Sequence, residues 1–202
     1  PEIINLNIFK RLLEKCKEFW EVKKLSHDDR KTFNLACESF YKIKSLERIN
    51  IFYQKFNKED DELVINGDVV PKLSEIFPLI DWGWLCSGLP GRFHGDFHFE
   101  NIIYNSIENK FIFLDWRQEF AGNLEVGDIY YDLAKLLHGL IINHEIIANN
   151  QYKVSWNDNK VNYDFLRRQI LIECENYYFI WLQENNYDIK KVILLTSLIF
   201  IN

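Results

Sequence analysis

The run Phe93-His94-Gly95-Asp96-Phe97-His98-Phe99-Glu100-Asn101 fits neither a helix nor a strand. Its polar and aromatic residues follow neither a helical nor a two-residue period, and Gly95 interrupts it, so the sequence dictates a loop. Two short apolar runs follow, Ile102-Ile103-Tyr104 and Phe111-Ile112-Phe113-Leu114, joined by Asn105-Ser106-Ile107-Glu108-Asn109-Lys110, whose turn chemistry marks a hairpin. Antiparallel strands return the chain to where it set out, so Asp115 comes back to the edge from which Asp96 and Asn101 depart. One carboxylate can then meet a hydroxyl while an amide and a second carboxylate hold a hard cation through oxygen ligands, an arrangement suited to phosphoryl transfer.

The rest of the composition narrows the setting. Of 202 residues, 48% are apolar and 16% aromatic, ample for a sizeable core. A net charge of -6 argues against a nucleic-acid partner, because phosphate backbones require clustered Lys and Arg. Cys16, Cys37, Cys86 and Cys174 are scattered without a close pair, which reads as reduced, buried thiols rather than a zinc ribbon or disulfide framework. No long uncharged apolar stretch and no basic-then-apolar leader is present, so the expected location is cytoplasmic, with no membrane span.

Taken in order, residues 8–25 place Ile8, Phe9, Leu12, Leu13, Cys16, Phe19 and Trp20 on one stripe, predicting an amphipathic helix. Ser26, Asp28 and Asp29 cap a second helix reaching about Phe56, long enough to require a kink near Ser45 or two helices. The acidic cluster Glu59-Asp60-Asp61-Glu62 reads as a solvated turn. A third helix from Pro71 or Lys72 to about Leu85 closes at Gly88-Leu89-Pro90-Gly91, making the first ninety residues helical. Residues 118–127 form a loop, and Asp128 caps a helix carrying Ile129, Leu133, Leu136, Leu137, Leu140 and Ile141, with Asp132 in its first turn. Residues 149–162 are irregular apart from a short strand over 152–156, a helix spans 163–183, and a last one begins near Asp188. The expected class is mainly α with a small β-hairpin. A glycine-rich nucleotide loop of either the G-x-G-x-x-G or Walker type is absent from the sequence.

Three segments in order, His94-Gly95-Asp96-Phe97-His98-Phe99-Glu100-Asn101, Leu114-Asp115-Trp116 and Gly127-Asp128-Ile129-Tyr130-Tyr131-Asp132-Leu133-Ala134, resemble the aminoglycoside phosphotransferase and choline kinase group of the protein-kinase-like fold. The protein-kinase catalytic motif has the same Asp-to-Asn spacing. The resemblance implies that residues 1–202 are a C-terminal lobe of that α+β fold. Residues 1–91 would be a helical acceptor-side segment, 92–134 the catalytic loop, hairpin and metal-binding segment, and 135–202 a truncated helical remainder. An ATP-clamping N-terminal lobe would lie upstream, leaving this piece inactive alone. It further implies that Asp96 accepts or orients the proton of a small-molecule hydroxyl acceptor, that Asn101 and Asp115 hold Mg2+ on ATP, and that His94 braces the loop. Asp128 and Asp132 would anchor the helix beneath the site. Arg117 stands where many members of the group carry an acid, and it could pair with a phosphate or an acidic acceptor. The wording around Asp115 and Asp128 is nearest to bacterial members associated with surface polysaccharides.

His98 and Glu100 are candidate substrate contacts along with Trp116 and Arg117, although a histidine among aromatic residues is equally a packed, hydrogen-bonded one. Trp82, Trp84, Trp116, Tyr130, Tyr131 and Trp156 are either core or an aromatic wall for a cationic acceptor such as choline. Two alternatives stand beside the kinase reading. One is a kinase-like lobe that only binds; the other is a metal-dependent hydrolase using His94, Asp96 and His98, which would leave Asn101 without a purpose.

Overall fold

The computed structural model describes residues 5–142 and 144–201. Helix α1 (Leu6–Phe19) is capped by the Asn5 side chain, which accepts from the Ile8 amide at 3.0 Å, and it buries Phe9, Leu12, Leu13, Cys16 and Phe19. It stops short of residue 25. Trp20 leaves the helix with its indole N–H on the Asp132 carboxylate at 3.0 Å, and Val22 bridges to Gly91. Helix α2 (His27–Glu38), capped by Ser26, passes through a π-helical turn at Ser39–Ile43 into α3 (Lys44–Phe56). The break expected near Ser45 is thus a wide turn just before it, not a separation into two helices.

The first ninety residues are not all helical. Strands β1 (Leu63–Ile65) and β2 (Asp68–Val70) form a hairpin about Asn66-Gly67, both at positive φ, the conformation a two-residue turn demands. The expected third helix is broken into α4 (Leu73–Ile76), a 3-10 turn at Phe77–Leu79 containing Pro78, and α5 (Trp82–Cys86). Asp60 is more than part of a solvated turn, for its carboxylate accepts from the Leu73 and Ser74 amides and the Tyr53 hydroxyl.

Strand β3 (Pro90–Gly91) precedes the loop, and β4 (Ile102–Asn105) and β5 (Lys110–Phe113) follow it, paired antiparallel with Ile102 opposite Phe113. Strand β6 (Gly127–Asp128) pairs with β3 and leads into α6 (Ile129–Ile141), then α7 (His144–Ala148). Strands β7 (Tyr152–Asn157) and β8 (Lys160–Phe165) occupy the stretch expected to be mostly irregular, and β8 takes the residues expected to open the next helix. The sheet order is β2-β1-β8-β7, with β1 and β8 parallel. Strand β8 pairs along its length with β7, and the Tyr163 amide is held by the Asn66 side chain at 2.8 Å, so sheet pairing on both sides overrides any helical preference. Helices α8 (Gln169–Glu184) and α9 (Ile189–Ile201) complete a chain that is mainly helical with small sheets.

Helix α6 is the axis of the molecule. Leu133, Leu136, Leu137 and Leu140 pack with α1 and α8, while Tyr131 and Ala134 pack with α2, α3 and α9. A helix buried on all sides is apolar on all sides, so each charged group it carries needs a specific partner. Asp128, Asp132 and Lys135 are those groups. The four cysteines are buried and unpaired with one another. Among the described residues, no helix is long and apolar enough to cross a membrane.

Candidate active site

The loop at residues 93–101 is held from below by Asp132 of α6, while Asp128, the cap of that helix, holds the segment before the loop at Leu89. Asp132 is fully buried and accepts from the backbone amides of His94 at 2.6 Å and Gly95 at 2.7 Å, besides the Trp20 indole. Burial pushes its carboxyl up to about 7, against the pull of those three N–H donors. Asp128, also fully buried, accepts from the Tyr41 hydroxyl, the Leu89 amide and the Tyr130 amide, the last being its helix cap. Burial raises its pKa, opposed by those donors.

Gly95 has φ of +84°, and a Cβ there would lie 2.5 Å from Cβ of Arg117, so only glycine fits. His94 is fully buried, its ring set among Phe97, Phe113 and Trp116, and its Nδ1 accepts from the Asp96 amide at 3.3 Å. Burial lowers its pKa, opposed by the Leu114 backbone and the Asp96 charge, which suits a neutral acceptor.

The side chains of Asp96, His98, Glu100 and Asn101 form one hydrogen-bonded cluster. Asn101, nearly buried, donates through Nδ2 to the Asp96 carbonyl at 3.0 Å, leaving its Oδ1 turned from that contact. His98 stands between carboxylates, with Nε2 3.3 Å from Asp96 and Nδ1 2.7 Å from Glu100. Glu100 also lies 3.4 Å from His144.

Asp115 is exposed and joins this edge through its neighbours on both sides. The Leu114 amide donates to the Asn101 carbonyl at 2.9 Å, and the Arg117 amide to the His94 carbonyl at 2.8 Å. Asp115 itself is left-handed, φ +54°, a conformation aspartate tolerates better than most residues. Trp116 packs edge-on against Phe19 and donates its indole N–H to the Phe113 carbonyl, with one face toward His94. The Arg117 guanidinium lies over Phe40.

One residue absent from the sequence reading stands at the centre. Lys135, three positions after Asp132 on α6, places its ammonium 2.8 Å from Asp96 Oδ1. Burial opposes the Asp96 charge, but Lys135 and His98 outweigh it and hold the carboxyl below the usual range. Its signal was weak: the i,i+3 spacing from Asp132 puts it on the same face of the helix, yet a lone lysine normally reads as solvated. The six aromatic residues proposed as a wall do not converge. Trp84 is bonded to Asp188, Tyr131 is stacked on Tyr41 inside the core, and Trp156 belongs to the four-stranded sheet.

The arrangement is a half-buried Asp96 carboxylate held below its usual range, the Asp96 backbone carbonyl bonded to the Asn101 amide nitrogen, and a second, exposed carboxylate where the hairpin returns. Comparison with curated proteins and with solved structures finds no match. A model of the phosphotransferase enzyme family matches residues 45–167, more than half of the chain, running from the start of α3 past β8 and containing the loop, the hairpin and α6. The chain belongs to the phosphotransferase enzyme family.

Proposed function

We propose that these residues form the C-terminal lobe of a kinase-like enzyme that moves the γ-phosphoryl group of ATP to a hydroxyl of a small molecule. The observation that carries this reading is Asp96, held ionised by Lys135 and set one hairpin edge from Asn101 and Asp115. The donor set fits magnesium, which takes oxygen ligands, keeps several waters and is held by one or two carboxylates plus phosphates rather than by an all-protein cage. Among the described residues no group of three or more His, Cys, Asp and Glu is placed to hold a metal. Asn101 Oδ1 and Asp115 would hold the ion, which would supply positive charge to the phosphates of ATP.

Asp96 orients the acceptor hydroxyl and takes its proton as the acceptor oxygen forms the new bond to phosphorus and ADP leaves. A carboxylate held below its usual range is a weak base, which suits a loose transition state in which the proton moves late. His94 does not touch the reacting atoms; it positions Asp96 by accepting its amide. That buried placement also speaks against a hydrolase in which His94, Asp96 and His98 share one metal.

Replacement Asp96→Asn in the full-length protein is expected to lower the rate of phosphoryl transfer by about 10² to 10⁴ while leaving ATP binding intact. Turnover equal to wild type in that variant contradicts the assignment.

A further inference from the structure

Beside the candidate site, α3 and the segment after Asp115 enclose an open cavity of about 680 Å³ whose lining includes Phe40, Lys44, Arg48 and Arg117. Its wall begins next to Asp96, since Arg117 Cβ stands against Gly95 and the Arg117 amide is bonded to the His94 carbonyl. The Lys44 ammonium and the Arg117 guanidinium both lie over the Phe40 ring, 4.7 and 5.3 Å from its centre. Glu47 and Glu119 also line the cavity. No ion pair joins either of them to Lys44, Arg48 or Arg117 among the described residues.

Three cations, Lys44, Arg48 and Arg117, against two carboxylates, Glu47 and Glu119, leave the cavity with an excess of one positive charge, and the cations repel one another. Burial lowers the Lys44 pKa, and Arg117, Arg48 and Lys135 lower it further, in that order. In a chain of net charge -6, that local excess of cations favours an anionic occupant. A cationic amino alcohol or aminosugar entering here meets the same repulsion. An anion relieves it, and guanidinium groups suit planar oxyanions in particular.

We propose that this cavity is the acceptor subsite and that it selects an alcohol of sugar size carrying an oxyanion, with Lys44, Arg48 and Arg117 gripping the anion and Phe40 flooring the ring. The inference rests on the phosphotransferase reading for its chemistry: the substrate's hydroxyl oxygen bonds to the γ-phosphorus, the bond from that phosphorus to the bridging oxygen breaks, ADP departs and the proton passes to Asp96. The binding preference itself can be measured without turnover. Phosphate and carboxylate are the two sources of the oxyanion, and separate probes distinguish them.

The test is calorimetric titration of the full-length wild-type protein with glucose 1-phosphate, glucuronate, glucose and glucosamine at low salt. Charge is varied in the ligand, so folding of a variant does not enter. At least one of the two anionic probes is expected to bind tenfold or more tightly than glucose, with glucosamine weakest, and the tighter of the two names the oxyanion. In Lys44→Gln/Arg117→Gln, with an unchanged melting temperature, that preference is expected to fall below threefold. Equal affinity for all four probes, or tightest binding of glucosamine, overturns the proposal. An anionic preference without any ATP consumption leaves this subsite standing and removes the phosphotransferase reading. ATP consumption with a neutral or cationic preference does the reverse.

Discussion

Asp96 illustrates how two neighbours decide the state of one group. Burial alone would raise its carboxyl, yet Lys135 at 2.8 Å and His98 at 3.3 Å bring it below the ordinary carboxylate range. Its folded-state pKa is depressed, so ionisation survives to lower pH than the roughly 3.9 of a free aspartate. Removing the ammonium in Lys135→Met leaves burial opposed only by His98, and the Asp96 pKa must rise. The acid limb of the pH dependence of kcat/KM is then expected to move to higher pH, with a smaller effect above pH 7; an unmoved acid limb contradicts the role given to Lys135. Asp115→Ala removes an exposed carboxylate, and because alanine tolerates the left-handed backbone there less well than aspartate, stability should fall by no more than about 1–2 kcal/mol. Magnesium-dependent binding of a fluorescent ATP analogue should be lost, and undiminished binding removes Asp115 from the metal site. At this scale the sequence singles out Asp96, Asn101 and Asp115 because their spacing about a hairpin has a chemical reading, and that hairpin is present. Lys135 is hidden because its significance arises only when α6 passes under the loop.

The elements that matter most are the loop at residues 93–101 and α6, joined through Asp132. Truncation in Asp132→Ala strands three N–H groups in the interior, those of His94, Gly95 and Trp20. Each unsatisfied buried donor costs about 1–3 kcal/mol, and a loss of about 3–5 kcal/mol in chemical denaturation is expected for the variant. Gly95→Ala should cost about 1–3 kcal/mol from its positive φ, and more from the clash with Arg117. Wild-type stability in either variant refutes this account of the anchor. Helix α6, its Asp128 cap and the β4–β5 hairpin are legible in sequence because periodicity and turn chemistry agree there. The four-stranded sheet is not, although Asn66-Gly67 is a strong hairpin signal that the helical reading of the first ninety residues passes over. Strand β8 pairs along its whole length with β7 across the turn at Asp158-Asn159, a local hairpin that the helical reading of 163–183 passes over, while its two-residue pairing with β1, nearly a hundred residues earlier, leaves no local trace.

Across the whole molecule, two apolar cores meet on α6, and the polar site lies where the loop, the hairpin and that helix come together. This arrangement explains why so few residues carry the chemistry. The cores hold the backbone, Asp132 ties the loop to the helix and Asp128 ties the Leu89 segment to it, and on the proposed reading Asp96, Asn101 and Asp115 are the residues that meet a ligand. The helical segment before the loop contributes Lys44 and Arg48 to the cavity and the segment after Asp115 contributes Arg117, so on the proposed reading acceptor choice draws on two parts of the chain. Because Leu137 is almost fully buried between α1 and α8, Leu137→Ala should lower stability by about 2–5 kcal/mol and activity only in proportion to unfolding. The central claim is that the γ-phosphoryl group passes to an alcohol. Its most direct measurement uses ATP labelled with oxygen-18 in the non-bridging γ positions, Mg2+, the full-length protein and a panel of sugars and amino alcohols, read by mass spectrometry. The account predicts a phosphorylated alcohol that carries all the labelled oxygens and is lost in Asp96→Asn. Labelled inorganic phosphate alone, or product formed equally by Asp96→Asn, contradicts it.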